Sequence, residues 1–281
     1  MATKRKAVKK IKRSAGKRPR SIAYGRILNC IPSPKPENDW QFENALTAGL
    51  SSAAAPPPEK DLRTNWWTIG DQLDTGSCVG WACADSVIRW HLVKAGKLAA
   101  SDTARLSTRF PWMAAKETDE WPTPPTTFIE AEGTSLKAAL DVARNYGAVE
   151  DKILPFGSGQ LYKGEAKTFF AIAAQFKIGS YFNLKRDPKR WRQWIASNGP
   201  ILTRLDVDST WYDASETKGD LSVYRQPSQP AGHAVALVGY TPTSFIVRNS
   251  WGTGWGDKGY AYASNSYAAA AFTEAYGIVM N

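Results

Sequence analysis

Histidine is scarce in this chain of 281 residues, with only two, and cysteine and methionine number three each. Three cysteines cannot all pair, and Cys30, Cys78 and Cys83 do not form a disulfide framework. The fold therefore has to rest on its core, and a reducing compartment such as the cytoplasm is expected. Long apolar runs are missing as well. No stretch approaches the ~20 residues of a membrane helix, so no membrane span is expected. The basic N-terminus is not followed by an unbroken apolar region, because Arg26 interrupts it, and no secretory signal is expected. No internal repeat is present. No metal and no cofactor are expected.

Acidic residues are absent from the first 20 positions, which hold ten Lys or Arg. That leaves 26 basic and 26 acidic residues in the other 261, so the net charge of +10 belongs to the tail and the body is neutral. Residues 1–20 read as a disordered basic tail, either a solubilising leader or a tether to nucleic acid or another anionic polymer. Residues 21–60 are a Pro-rich leader that packs on the body or acts as a pro-segment. Its lack of helical periodicity favours packing.

The body has ample apolar content, 43 % of the chain with 12 Trp. Its helical patterns come first. Cys78 to Lys94 is apolar on nearly every face, as a buried helix is, with Asp85 and Arg89 as one polar stripe. Ser77 is a candidate cap for it. Ser101 to Thr127 predicts a helix and then an exposed Trp- and Pro-rich loop. Ser135 to Tyr146 is amphipathic and stops at Gly147. Asp187 and Pro188 open a helix that Gly199 and Pro200 close. Strand patterns dominate later, at Ile178 to Leu184, Ile201 to Val207, His233 to Tyr240, Ser244 to Arg248, Tyr260 to Ala263 and Ala275 to Met280. Helices first and strands second predict an α+β fold, with a helical half over about 61–163 and an antiparallel β half over about 164–281.

Two stretches carry candidate chemistry. The first, QLDTGSC, puts Cys78 in the opening turn of a helix, where the dipole favours a thiolate. A free Cys in an apolar run is as commonly a small core residue. A base would have to be His91 or His233. His91 lies thirteen residues along the same helix, roughly 20 Å away on nearly the opposite face. That leaves it a structural or surface role. His233 opens the strand GHAVALVGY, and Asn249 ends the next strand, sixteen residues on. Adjacent antiparallel strands place these two side by side, so that the Asn carbonyl can orient the imidazole.

Gln72, Cys78, His233, Asn249 and Trp251, in the runs QLDTGSC, GHAV, NSWG, GWG and GY, resemble the papain-type cysteine peptidase family in order and spacing over about residues 61–281. GSCVGWA is closer to the bacterial branch, with Trp81 third after the Cys instead of first. Thr75 stands where the family carries a disulfide Cys. EGTS, Glu132 to Ser135, is the nearest match to the family's Gly-Gly segment.

The resemblance implies a papain-like two-subdomain fold with the site in the cleft between the halves. It implies Cys78 as nucleophile, His233 as base and then acid, and Asn249 as the residue that orients it. Gln72 and the Cys78 backbone N–H would form the oxyanion hole, and Trp251 would shield the Asn–His bond. The substrate would be a peptide or protein, hydrolysed through an acyl-enzyme. The alternatives are a catalytically silent papain-like scaffold that binds a peptide or protein partner, and a transpeptidase or aminopeptidase variant.

Overall fold

Local sequence rules set the ends of the main helices. The computed structural model describes residues 22–23, 26–118, 133–157 and 162–280. In it, α1 is Phe42–Thr47, and a central helix follows in three parts: α2 (Cys78–Gly80), a π-helical stretch (Trp81–Ile88) and α3 (Arg89–Lys94). Next come α4 (Arg109–Thr118), α5 (Leu136–Asn145), α6 (Ala166–Ala173), α7 (Pro188–Ser197), α8 (Ser209–Tyr212) and α9 (Asn265–Ala271). In α7, the Asp187 carboxylate accepts from the backbone N–H groups of Lys189 and Arg190, and Pro188 fills the first turn. The Ser135 hydroxyl caps α5 by accepting from Ala138 N–H, and Leu136, Ala139, Leu140 and Ala143 are its buried face. The basic tail and residues 119–132, which include most of the predicted Trp- and Pro-rich loop and Glu132 of the EGTS run, lie outside the described residues.

The strands are β1 (Ile22–Ala23), β2 (Arg26–Ile27), β3 (Lys60–Asp61), β4 (Ile178–Asn183), β5 (Ile201–Asp206), β6 (Asp220–Leu221), β7 (Gly232–Tyr240), β8 (Ser244–Arg248), β9 (Tyr260–Ser264) and β10 (Phe272–Met280). The first two form a small hairpin. The main sheet runs β4-β10-β5-β7-β8-β9-β6, with β3 added beside β7. Its pairs are antiparallel except β6 with β9, which is parallel. All nine residues of β7 are buried, because the strand has sheet on both edges and helices on its face.

Three expectations need correction. The central helix is not a plain α-helix, since its middle eight residues are π-helical. Ser77 does not cap it; its hydroxyl bonds the Thr75 hydroxyl instead, at 2.6 Å. The Asp85–Arg89 stripe is not a polar face. Both side chains are buried, and Asp85 is ion-paired to Arg89, Arg105 and Arg248.

His91 takes the structural place left to it. It is 8 % exposed and stacks edge-on against Trp90, and burial pushes its pKa down to about 4. The unfolded chain takes up a proton here near 6.5, whereas the folded chain resists until about 4. Stability contributed by the neutral ring is therefore present above pH 6.5 and lost as pH falls towards 4, on the order of 3 kcal/mol in total. Urea unfolding at pH 7 and pH 4.5 should show a smaller acid loss in His91→Gln than in the wild type. Equal losses would mean that His91 does not drive this part of the pH dependence.

Candidate active site

The central helix brings Cys78 to the interface between the helices and the sheet, and β7 brings His233 to it. Both residues are fully buried. His233 pairs with Leu205 across β5, and β8 lies on the other edge of β7, with Asn249 directly beyond its last residue. His233 Nε2 and Asn249 Oδ1 are 2.8 Å apart, and the same Oδ1 accepts from Ser250 N–H. With Nε2 held, Nδ1 is the ring nitrogen left for the thiol, and the nearby imidazole helps lower the Cys78 thiol. Trp251 lies 5.1 Å from the imidazole and Trp211 5.7 Å, so two indole rings wall the Asn–His pair off from water.

Gln72 is buried beside the helix entrance. Its Nε2 donates to Thr75 O at 3.0 Å, and its Oε1 accepts from the Ser250 hydroxyl at 2.8 Å. Its backbone N–H also donates to Ser250 O. Ser250 thus holds Gln72 by two bonds, one to the side-chain amide and one to the backbone N–H, and the second Nε2 hydrogen is free of these partners. Sequence reasoning passed over Ser250, although it sits between the singled-out Asn249 and Trp251.

The structure brings a second residue to the site that the sequence reading had left aside. Leader residues 28–33 run through the groove between the two halves. Cys30 N–H donates to Gly232 O at 3.0 Å on the sheet side, and Ile31 N–H donates to Thr134 O at 3.3 Å on the helical side. Arg204 Nε donates to Cys30 O. Glycines permit this passage. A Cβ on Gly133 would sit 1.9 Å from Asn29 O, and one on Gly232 would sit 2.0 Å from Cys30 O. The EGTS run therefore does line the groove, through Gly133 and Thr134. At one end Arg26 pairs with Asp71 and donates to Leu73 O. At the other, Ser33 N–H donates to Glu274 and Lys137 donates to Pro34 O.

The Cys30 thiol lies beside the Cys78 thiol, with its own S–H directed to Ile31 O at 3.8 Å. Its neighbourhood is the largest influence holding the Cys78 thiol well below its ordinary range. The hydrogen bond and charge of His233 and the Ala234 N–H add to it, against the opposing effect of burial. Cys30 moves the other way, raised first by burial and then by its neighbour. Cys83, one turn further along the helix, is pushed up to about 12 by burial alone. The arrangement is therefore a thiol lowered by its neighbours, a second thiol raised beside it and an oriented imidazole, all shielded from solvent.

Residues 56–278 match the family described as papain family cysteine protease. The chain belongs to this family. Among curated papain-family relatives, cysteine proteinase B of Leishmania mexicana is 31 % identical over 110 residues, 38 % of this chain and 24 % of that protein. Ananain of Ananas comosus is 30 % identical over 130 residues, 44 % of this chain and 35 % of that protein. The matched part thus spans about a quarter to a third of these relatives. The crystal structure of xylellain, a cysteine protease from Xylella fastidiosa, superposes with a TM-score of 0.73 over 92 % of this chain and 97 % of that one, at 19 % identity. That likeness shows the papain-like α+β fold. Among the described residues, no helix is long and apolar enough to cross a membrane.

Proposed function

We propose that this chain is a cysteine peptidase that hydrolyses peptide bonds in peptides or proteins. The Cys78 thiolate attacks the scissile carbonyl. Gln72 Nε2 and the Cys78 backbone N–H stabilise the oxyanion. His233, held by Asn249, protonates the leaving amine and then draws a proton from the water that clears the acyl-enzyme. The observation that carries this reading is the Cys78–His233–Asn249 sequence of contacts, with Cys78 at a helix N-terminus and its thiol held well below the usual range. Cys78 and His233 are fully buried under the leader, so turnover requires residues 28–33 to leave the groove.

The test is labelling of the full chain with a thiol-directed peptidyl electrophile, read by mass spectrometry, beside hydrolysis of a mixed peptide library. Label should settle on Cys78 alone, and Cys78→Ala should lose both label and hydrolysis. Hydrolysis that survives Cys78→Ala would overturn the assignment.

A further inference from the structure

Cys30 belongs to none of the sequence motifs, and it has no task in peptide hydrolysis. Yet the leader brings it to the nucleophile with its own N–H held by Gly232 O, the N–H of Ile31 held by Thr134 O on the other side, and its carbonyl held by Arg204. Nothing in peptide hydrolysis needs a second thiol there. A serine or alanine would pack the same gap.

We propose that Cys30 and Cys78 form a reversible disulfide that locks the leader into the groove and protects the nucleophile from irreversible oxidation. The proposal rests on the reading of Cys78 as the reactive thiol. An S–S bond of ~2.05 Å needs the two sulfurs to close on each other, and they already lie near enough for each to act on the other's ionisation. Leu28 to Lys35 has no regular secondary structure to resist it. The oxidant is a peroxide. When the leader lifts, the Cys78 thiolate displaces hydroxide from hydrogen peroxide. An S–O bond forms, the O–O bond breaks, and the hydroxide takes the proton held by His233 to become water. When the leader returns, the Cys30 sulfur attacks the sulfenic sulfur. The S–S bond forms, the S–O bond breaks, and the departing hydroxide takes the Cys30 proton as a second water. Two thiols have lost two electrons and one peroxide has gained them.

The division of labour follows from the surroundings of each sulfur. Cys78 is the thiol lowered by its neighbours and so the one that attacks peroxide. Cys30 stays protonated until a sulfenic acid faces it, which makes it the resolving thiol. Cys83 is buried in the same helix with no polar neighbour that lowers it, and it serves as an internal control. A reducing agent opens the bond and returns both thiols. The state of the leader is thereby coupled to the redox state around the protein.

The full chain, reduced and freed of reductant, is treated with hydrogen peroxide. Free thiols are then blocked with N-ethylmaleimide, and the chain is digested without reduction for mass spectrometry. A peptide linking Cys30 to Cys78 is expected, with Cys83 blocked by maleimide. Electrophile labelling of Cys78 should disappear with peroxide and return in full with dithiothreitol. In Cys30→Ser the linked peptide should be absent and the lost labelling should not return, since the sulfenic acid goes on to sulfinic acid. Cys78 left as a free thiol, carried to sulfinic acid in the wild type, or linked to Cys83 would overturn the proposal. So would equal recovery in wild type and Cys30→Ser. The linked peptide is read without any substrate. Linkage in a chain that cleaves nothing would sink the peptidase reading alone, and cleavage by Cys78 without linkage would sink the latch alone.

Discussion

Replacing His233 with alanine should lower kcat/KM for peptide hydrolysis by about 10³- to 10⁴-fold, the range in which loss of a combined general base and acid falls. Two losses act together. The fully buried Cys78 thiol loses a neighbour that helps lower it, and the leaving amine loses its proton donor. The first loss has its own signature. In the wild type the Cys78 thiol is held well below its ordinary range, so alkylation by iodoacetamide should persist as pH falls far below the ~8.5 of a free thiol. In His233→Ala, burial opposes the charge with less to offset it, and the acid limb of the alkylation profile should move to higher pH. The influence of Cys30 remains, so the limb should not move as far as burial alone would take it. Superimposable profiles for the two proteins would remove His233 from the site.

The residues of the proposed triad stood out because each sits at a boundary that short-range rules can find. Cys78 follows a Gly-Ser turn into an apolar run, His233 lies at the start of a strand, and Asn249 follows one. The strands β5, β7 and β8 were legible through their β-branched runs, and α7 through Asp187 and Pro188. What escaped depended on distant neighbours. Cys30 is 48 residues from Cys78, and no local pattern says that the leader will cross the groove at that point. The helix α1 escaped because six residues, FENALT, give less than two turns of periodicity. It is fixed by tertiary contact instead, Phe42 against Trp194 at 6.3 Å and Trp40 against Phe182 at 5.9 Å. Likewise the spacing of Asp85 and Arg89 correctly put them on one stripe of a helix. Only the fold shows that Arg248 arrives from β8 and Arg105 from the loop before α4 to bury that stripe.

That buried cluster is where a single change should cost the most stability. Asp85 Oδ1 accepts from Arg89 Nη1 at 2.9 Å and from Arg105 Nη1 at 3.0 Å, and its Oδ2 accepts from Arg248 Nη2 at 2.8 Å. Arg89 and Arg248 are 0 % and 1 % exposed, so one carboxylate stands between two guanidinium groups with no water to screen them. Burial already draws both guanidinium groups below their ordinary range, with Asp85 the main force against it. Asp85→Asn keeps the shape and removes the charge. It should cost about 3–5 kcal/mol, the usual penalty for an uncompensated buried charge. That is a large share of the roughly 5–15 kcal/mol by which a domain is stable.

Remaining contacts set a floor under the damage. Arg248 still donates to Thr68 O and lies 4.9 Å over Trp67, and Arg89 still donates to Trp66 O and Ser101 O. Urea unfolding followed by tryptophan fluorescence measures the loss, and a change under ~1 kcal/mol would show that these contacts already satisfy the arginines. Because a buried pair often breaks even against apolar residues of similar volume, the triple change Asp85→Leu, Arg89→Met and Arg248→Met should recover much of what Asp85→Asn loses. The site should still register it. Arg248 is the last residue of β8 and Asn249 follows it, so freeing that strand end loosens the residue that holds His233. The triple variant should therefore regain stability before it regains kcat.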